Sequence, residues 1–406
     1  MNVEAVTTER AWEALEPSWD SLVDRSGSAT IFLTCEWLRP WWRNYRGSGE
    51  TLSILVAREG ETVIGLAPLY RSRATAYGLG SIRRLGFIGD SSGDSEYLDF
   101  IIEPGREAEV LAAFFEHLDG GRACKPARGG WDVAELRLVP KTSPNFEPLQ
   151  RLAAERGYLQ ATEEVPCSSL ALPGDWEAYL KTLQPRLRSK VRSLLQRLPE
   201  EQGASFGQCQ DAAELPAQLE SLFALHQRRW QAEGKQGAFV SEARRGFYRE
   251  MAEGFLRRGW LRFYWLRVGG RFVAHEFSFE HLRRVYYLQQ GFEADCGPLS
   301  YGIALKAHAI RQSIADGAKE YDFLGGIAEH KEKWGAAPKE CVHLTLARPG
   351  LRTRWHLWLP RFAARLRDRG RDLTPAPLLR LKRSVQERLR KRRAGTQTKG
   401  DARDEV

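Results

Sequence analysis

Residues 260–292 constrain the fold more than any other stretch of the chain. WLRFYWLRV (260–268) runs into Gly269-Gly270 and continues as RFVAHEFSFE (271–280). It turns again at His281-Leu282-Arg283 and returns as RVYYLQQGF (284–292). The runs are rich in aromatic and β-branched residues, and a glycine pair suits the tight two-residue turn of a hairpin. Three strands joined by two short turns predict an antiparallel meander.

Past the meander, Gly297-Pro298-Leu299 breaks the chain and Ser300 is a good helix N-cap. Ile303, Ala307, Ile310 and Ile314 then give one apolar helical face, which Gly317 ends. Tyr321 to Leu324 reads as a buried strand, and ECVHLTLARP (340–349) as another. Three helices are expected ahead of the meander. In the first, PRLRSKVRSLLQRL, Leu187, Val191, Leu194 and Leu198 face inward while Arg186, Lys190 and Arg197 face out; LPAQLESLFALHQRRW and FYREMAEGFLRRG follow. The first half has a similar order. Helical EWLRPWWRNY precedes a hairpin over Thr51 to Arg73, SIRRLGFIG and SEYLDFII (95–102) read as strands, and EAEVLAAFFEHL is a helix. WDVAELRLVP is a strand and LQRLAAERGYL a helix. The repeated order predicts an internal duplication with its joint near 165–175. The expected fold is mixed α+β: two domains, 1–168 and 169–350, each a twisted, mostly antiparallel sheet flanked by helices, and a basic C-terminal helical tail, 351–406.

Charge is distributed unevenly. The 406 residues carry a net charge of +9, yet residues 351–394 hold 15 Lys and Arg against three acidic residues, and the first 350 hold 44 basic and 46 acidic residues. A nearly neutral body does not have the basic face of a nucleic-acid-binding globule. In the tail, Trp355, Leu357, Trp358 and Leu359 with interleaved arginines suit the headgroup layer of an anionic membrane; RNA is the rival partner. No apolar run reaches the roughly 18 residues of a membrane span, and the N-terminus lacks the basic-then-apolar order of a secretory signal. Six scattered cysteines without a CxxC pair argue against a zinc site or disulfide framework and for a reducing compartment. The expectation is a cytoplasmic protein, peripheral to the inner face of the membrane if the tail docks there.

The stretch GAKEYDFLGGIAEHKEKWG (317–335) joins that strand to a double glycine and a charged turn. Together with YYLQQGF and GPLSYGIALKAHAIRQSIADG it resembles the GNAT acyltransferase superfamily. The likeness is to the CelD-like group that also underlies the Fem-type peptidyltransferases, which carry two GNAT-like domains. In that group a strand ends in D-F-L-x-G and a short turn carries Y-K and a Trp. Asp322, Phe323, Leu324, Gly326, Lys331 and Trp334 occupy those places, and His330 replaces the Tyr. The run from His226 to Trp230 and the basic helix 186–197 are similar as well. The resemblance covers residues 30–348. It implies an acyl donor, usually acyl-CoA, an amine acceptor, often on a cell-envelope or exopolysaccharide precursor, and no metal. The Fem-type alternative takes its donor from aminoacyl-tRNA; a catalytically silent scaffold at the membrane is a third reading.

Acyl transfer to an amine needs a seat for the donor's pyrophosphate, polarisation of the thioester and a route for the amine proton. Ser300, Tyr301 and Gly302 open a helix after the meander and are the candidate cofactor residues. Asp322, Glu276 and Lys331 are the catalytic candidates: a carboxylate in an apolar strand, a glutamate that alternates away from Val273, His275, Phe277 and Phe279, and a cation in the turn. Arg229, Trp230, His275, Tyr287, Gly325 and Trp334 are the candidates for substrate contact; a lone His on an apolar strand face also reads as a core residue.

Overall fold

The computed structural model describes residues 1–75, 80–120, 130–232, 234–293, 300–326, 329–357 and 359. Two compact units are present, one of residues 1–75 with 80–349, the other of residues 76–79 with 350–406. Of the second, a helix that begins at Leu351 is described, with Trp355 40% exposed. Trp358 and residues 360–406 lie outside the described residues, as do Cys296 and the break at 297–299.

The first half of the main unit runs β1 (Asn2–Val6), α1 (Glu9–Ala14), α2 (Glu16–Arg25), α3 (Cys35–Tyr45), β2 (Thr51–Leu52), β3 (Ile54–Glu59), β4 (Thr62–Ala67), β5 (Leu69–Thr75) and β6 (Ser81–Phe87). It continues with β7 (Ile101–Ile102), α4 (Glu107–Asp119), β8 (Val133–Pro140), α5 (Phe146–Glu155) and β9 (Leu159–Ala171). The second half runs α6 (Trp176–Thr182), α7 (Pro185–Gln202), β10 (Ser205–Gln208), α8 (Leu215–Ala232), α9 (Glu242–Arg257), β11 (Leu261–Val268), β12 (Arg271–His281) and β13 (Arg284–Phe292). It ends with α10 (Tyr301–Ala315), β14 (Glu320–Gly325), α11 (Glu329–Glu332) and β15 (Ala337–Ala347).

The meander forms as expected, with β11, β12 and β13 paired antiparallel. Its second turn places the non-glycine residues Leu282 and Arg283 at positive φ (50° and 62°), the conformation that a tight hairpin turn demands. SEYLDFII is not a strand before Ile101: its polar side chains bond elsewhere, Ser95 to the Trp37 indole, Tyr97 to Asp322 and Asp99 to Ser143 and Asn145. The segment is a packed loop laid against the second half.

Among the described residues, four strands form a small sheet, β1-β3-β4-β7, and eleven form a large one, β10-β11-β12-β13-β14-β9-β15-β8-β6-β5-β2. The duplication is visible in the topology. In each half an antiparallel pair (β5–β6, β12–β13) is followed by a crossover helix (α4, α10) and a parallel strand (β8, β14), then by a helix (α5, α11) and a last strand (β9, β15). The last strands change places: β9 pairs with β14 and β15 with β8. β9 and β15 pair with each other without a bulge from Ala337↔Ser169 to Ala347↔Leu159. The two halves therefore share one sheet. They also share a core, in which Trp37 on α3 touches the rings of Phe247 on α9 and Phe279 on β12 (centroids 5.0 and 5.6 Å apart).

Candidate active site

β13 and β14 run parallel and pair at three positions only, Arg284↔Glu320, Val285↔Tyr321 and Tyr286↔Asp322. Beyond these the strands part: β13 goes on beside β12, and β14 goes on beside β9 through a bulge between Asp322 and Gly325. α10 crosses from the end of β13 to the start of β14, so its N-terminus lies at the end where they diverge. Ligands of parallel sheets collect at such carboxyl ends. The contact confirms the placement, since Gln290 Nε2 donates to the Gly302 carbonyl (3.0 Å) and a Cβ at Gly302 would come within 2.8 Å of the Phe292 ring. The glycine is thus required by ring packing. Ser300 does not cap the first turn; its hydroxyl faces the Lys190 ammonium on α7 at 3.4 Å. The Arg229 guanidinium lies 4.5 Å from the centroid of Phe292. Two cationic side chains thus stand near the first turn of α10, at the wide end of the divergence.

Under α10, Glu276 is fully buried, and its carboxylate faces the Lys306 ammonium (3.0 Å), Gln290 (3.3 Å), Ser278 (3.4 Å) and the Tyr321 hydroxyl in a short hydrogen bond. Lys306 Nζ also lies 3.1 Å from Tyr321 Oη and 2.9 Å from the centroid of the Tyr287 ring. Burial pushes the Lys306 ammonium down to about 8 against the pull of Glu276, and burial holds the Tyr321 and Tyr287 phenols up, in the protonated form. Glu276, Tyr321 and Lys306 form one hydrogen-bonded chain, and the Lys306 ammonium lies over the face of the Tyr287 ring. Lys306 was missed in the sequence. Its signal was there: a lysine three residues after Ile303 and four before Ile310, on the apolar stripe of the helix.

Asp322 points to the opposite face of β14, as alternation requires. Both its oxygens accept from the Tyr97 hydroxyl (3.0 and 2.9 Å), Oδ1 accepts the Leu324 N–H (2.8 Å), and Lys339 stands 3.4 Å away. Burial raises its carboxyl above the usual range. Lys331 is buried and donates to the carbonyls of Phe323 (2.8 Å), Leu324 (3.3 Å), Gly325 (2.5 Å) and Gly326 (3.1 Å); burial lowers its ammonium. A side chain at Gly325 would collide with the carboxylate of Glu96, which comes from the first-half loop and accepts from the Cys167 thiol at 3.6 Å. Burial raises Glu96 to about 7. The folded value lies above the unfolded one, so its stabilising share is full below about 4.5 and is lost as pH rises through about 7. Replacing Glu96 by Gln is therefore expected to leave thermal stability at pH 5 nearly unchanged. At pH 8 it should raise stability by about 1–3 kcal/mol, read as the difference between the two melting curves at each pH. Asp99, also raised to about 7, and the buried histidines cancel in that difference.

The remaining candidates fall in different places. His275 is packed between the rings of Phe263 and Phe272 (5.1 and 4.6 Å), with burial lowering it to about 3, so it is a neutral core residue facing away from Glu276. The Trp230 indole donates to His226 Nε2 (2.9 Å). Tyr301 donates to Gln202 (2.9 Å), and Trp334 is buried, its carbonyl accepting from Tyr179 (3.0 Å). The side chain of His330 lies outside the described residues.

Residues 185–332 match the model of the acetyltransferase (GNAT) domain. The likeness to the GNAT domain therefore lies in the second half. The whole fold is similar to that of FemX, with a TM-score of 0.59 at 11% identity over 85% of this chain and 97% of that one. A conserved protein of unknown function from Bacteroides thetaiotaomicron VPI-5482 is similar too, with a TM-score of 0.53 at 12% identity over 86% and 100% of the two chains. Comparison with curated proteins returns no match. The likeness to FemX spans both halves, in keeping with the duplicated arrangement that the strand order shows. Among the described residues no helix is long and apolar enough to cross a membrane.

Proposed function

We propose that this GNAT protein moves an acyl group from acyl-CoA to an amine, and the observation that carries the reading is the divergence of β13 from β14 with the N-terminus of α10 at its wide end. Backbone N–H groups of that first turn, with Lys190 and Arg229 beside them, suit a pyrophosphate. The thioester then lies between the strands, near Tyr287. The amine nitrogen attacks the carbonyl carbon, the C–S bond breaks, and the amine proton passes to the Glu276–Tyr321–Lys306 chain. In this reading Tyr287, half-buried and held protonated, gives the leaving sulfur its proton, and the phenol regains a proton from solvent. An amine on a cell-envelope or exopolysaccharide precursor is the acceptor class that the family resemblance suggests. Docking on an anionic membrane through the basic tail remains part of this reading.

Calorimetric titration with acetyl-CoA and with bulk tRNA tests it. Saturable acetyl-CoA binding is expected, and Lys190→Glu is expected to weaken it about tenfold at low salt, less at high salt, because the lost attraction is a screened one of roughly 1–2 kcal/mol. Lys190 is exposed, so the melting temperature should not move. Binding of tRNA without acetyl-CoA binding would favour the aminoacyl-tRNA donor of the Fem type, a reading that the FemX-like fold keeps in play. Silence with both would favour the scaffold.

A further inference from the structure

Asp322 and Lys331 carry the most specific sequence motif of the chain, yet neither reaches the Glu276 chain. We propose that both are positioning residues: together they hold the end of β14 turned out of register with β13, and so keep the cleft between these strands open. The link to acyl-CoA rests on the function proposed above; the lock itself does not.

Leu324 is the centre of the lock. Its φ is +59°, in the left-handed region that a bulky non-glycine residue avoids. Such a conformation is costly and persists only where the surroundings impose it. Two side chains impose it here. The carboxylate of Asp322 accepts the Leu324 N–H at 2.8 Å, and is itself fixed by the Tyr97 hydroxyl from the first half. The Lys331 ammonium gathers four successive carbonyls, those of residues 323 to 326. In a regular strand successive carbonyls point alternately to opposite sides. Four that converge on one ammonium cannot belong to a regular strand, so the cation selects the curled backbone. The consequence is read in the ladder: parallel pairing with β13 stops at Asp322, the residue where the curl begins. Gly326, at φ +85°, completes the turn and donates to the Pro166 carbonyl on β9, which draws the strand end toward β9.

The test uses the full chain and four variants, with acetyl-CoA calorimetry and amide hydrogen exchange over residues 320–326. Lys331→Met, Leu324→Ile and Asp322→Ala should each weaken acetyl-CoA binding at least fivefold and speed exchange at residues 323–326 at least tenfold. Leu324→Ile keeps the volume and polarity but adds a β-branch that a left-handed residue tolerates poorly, so it isolates backbone conformation. Asp322→Asn retains a carbonyl oxygen for the Leu324 N–H and the Tyr97 hydroxyl, and should stay within about twofold of the wild type in both readouts. If Asp322 acted through its charge, Asn would fail as badly as Ala. That outcome, or Lys331→Met and Leu324→Ile matching the wild type in exchange, would overturn the proposal. A wild type that does not bind acetyl-CoA would refute the acyl-CoA reading alone, because exchange at 323–326 still decides the lock. A variant that loses protection throughout the chain has unfolded globally, and then Asp322→Asn and Leu324→Ile carry the decision.

Discussion

Lys306→Met should destabilise the protein by about 3–5 kcal/mol, because it leaves the fully buried Glu276 carboxylate without its cation in a site that water does not reach. The pairing of this variant with Glu276→Gln separates stability from chemistry. With both charges gone, the desolvation cost of each disappears, and most of the lost stability should return, since a neutral pair in a buried site is often no worse than an ionic one. Turnover should not return, because the chain from Glu276 through Tyr321 to Lys306 is where the amine proton is proposed to go. Thermal or denaturant unfolding reads the first quantity and acyl transfer the second. A double variant as unstable as Lys306→Met would mean that packing around the lysine stem, not its charge, holds α10 in place. A double variant that restores turnover would remove the chain from the mechanism.

The second large effect lies in how the two halves adhere. Asp94, in the loop between β6 and β7, is buried and accepts from Arg244 on α9 (Nε at 2.9 and 3.1 Å), from Tyr45 (3.0 Å) and from Tyr248 (3.1 Å). Asp94→Ala would leave a partly buried guanidinium without its carboxylate and two phenols short of an acceptor, a loss of about 3–5 kcal/mol. Because the same loop carries Glu96 and Tyr97 to β14, acetyl-CoA binding is expected to weaken along with stability. Arg244→Met paired with Asp94→Leu should recover much of the stability, since neither charge is then stranded. If Asp94→Ala melted like the wild type, the loop would be held by its apolar neighbours Leu98 and Phe100 instead.

Asp322 and Lys331 show why a motif can be legible while its role is not. The alternation of β14 places neighbours Tyr321 and Asp322 on opposite faces, and only the face that meets α10 carries the Glu276–Tyr321–Lys306 chain. A sequence names both residues equally. It has no means to say that the first-half loop, expected to be a strand over 95–102, would abandon the strand to hydrogen-bond across to Asp322. Lys306 shows the converse: its place on the apolar stripe could be read from spacing, but the partner that makes its burial tolerable sits 30 residues earlier on β12.

What the sequence determined by itself is local. Turn chemistry at Gly269-Gly270, β-rich runs and a 3.6-residue apolar stripe fixed the meander, α10 and β14, because each depends on residues within a few positions of one another. The repeated element order determined the duplication for the same reason. Only the tertiary structure decided that β9 and β15 exchange places so that both halves share one sheet, that β13 and β14 part after three pairs, and that Glu276 and Lys306 meet in the space beneath α10. Those outcomes rest on contacts between residues tens to hundreds of positions apart, where strand edges, buried charges and the φ of one leucine are settled by what packs against them rather than by what precedes them in the chain.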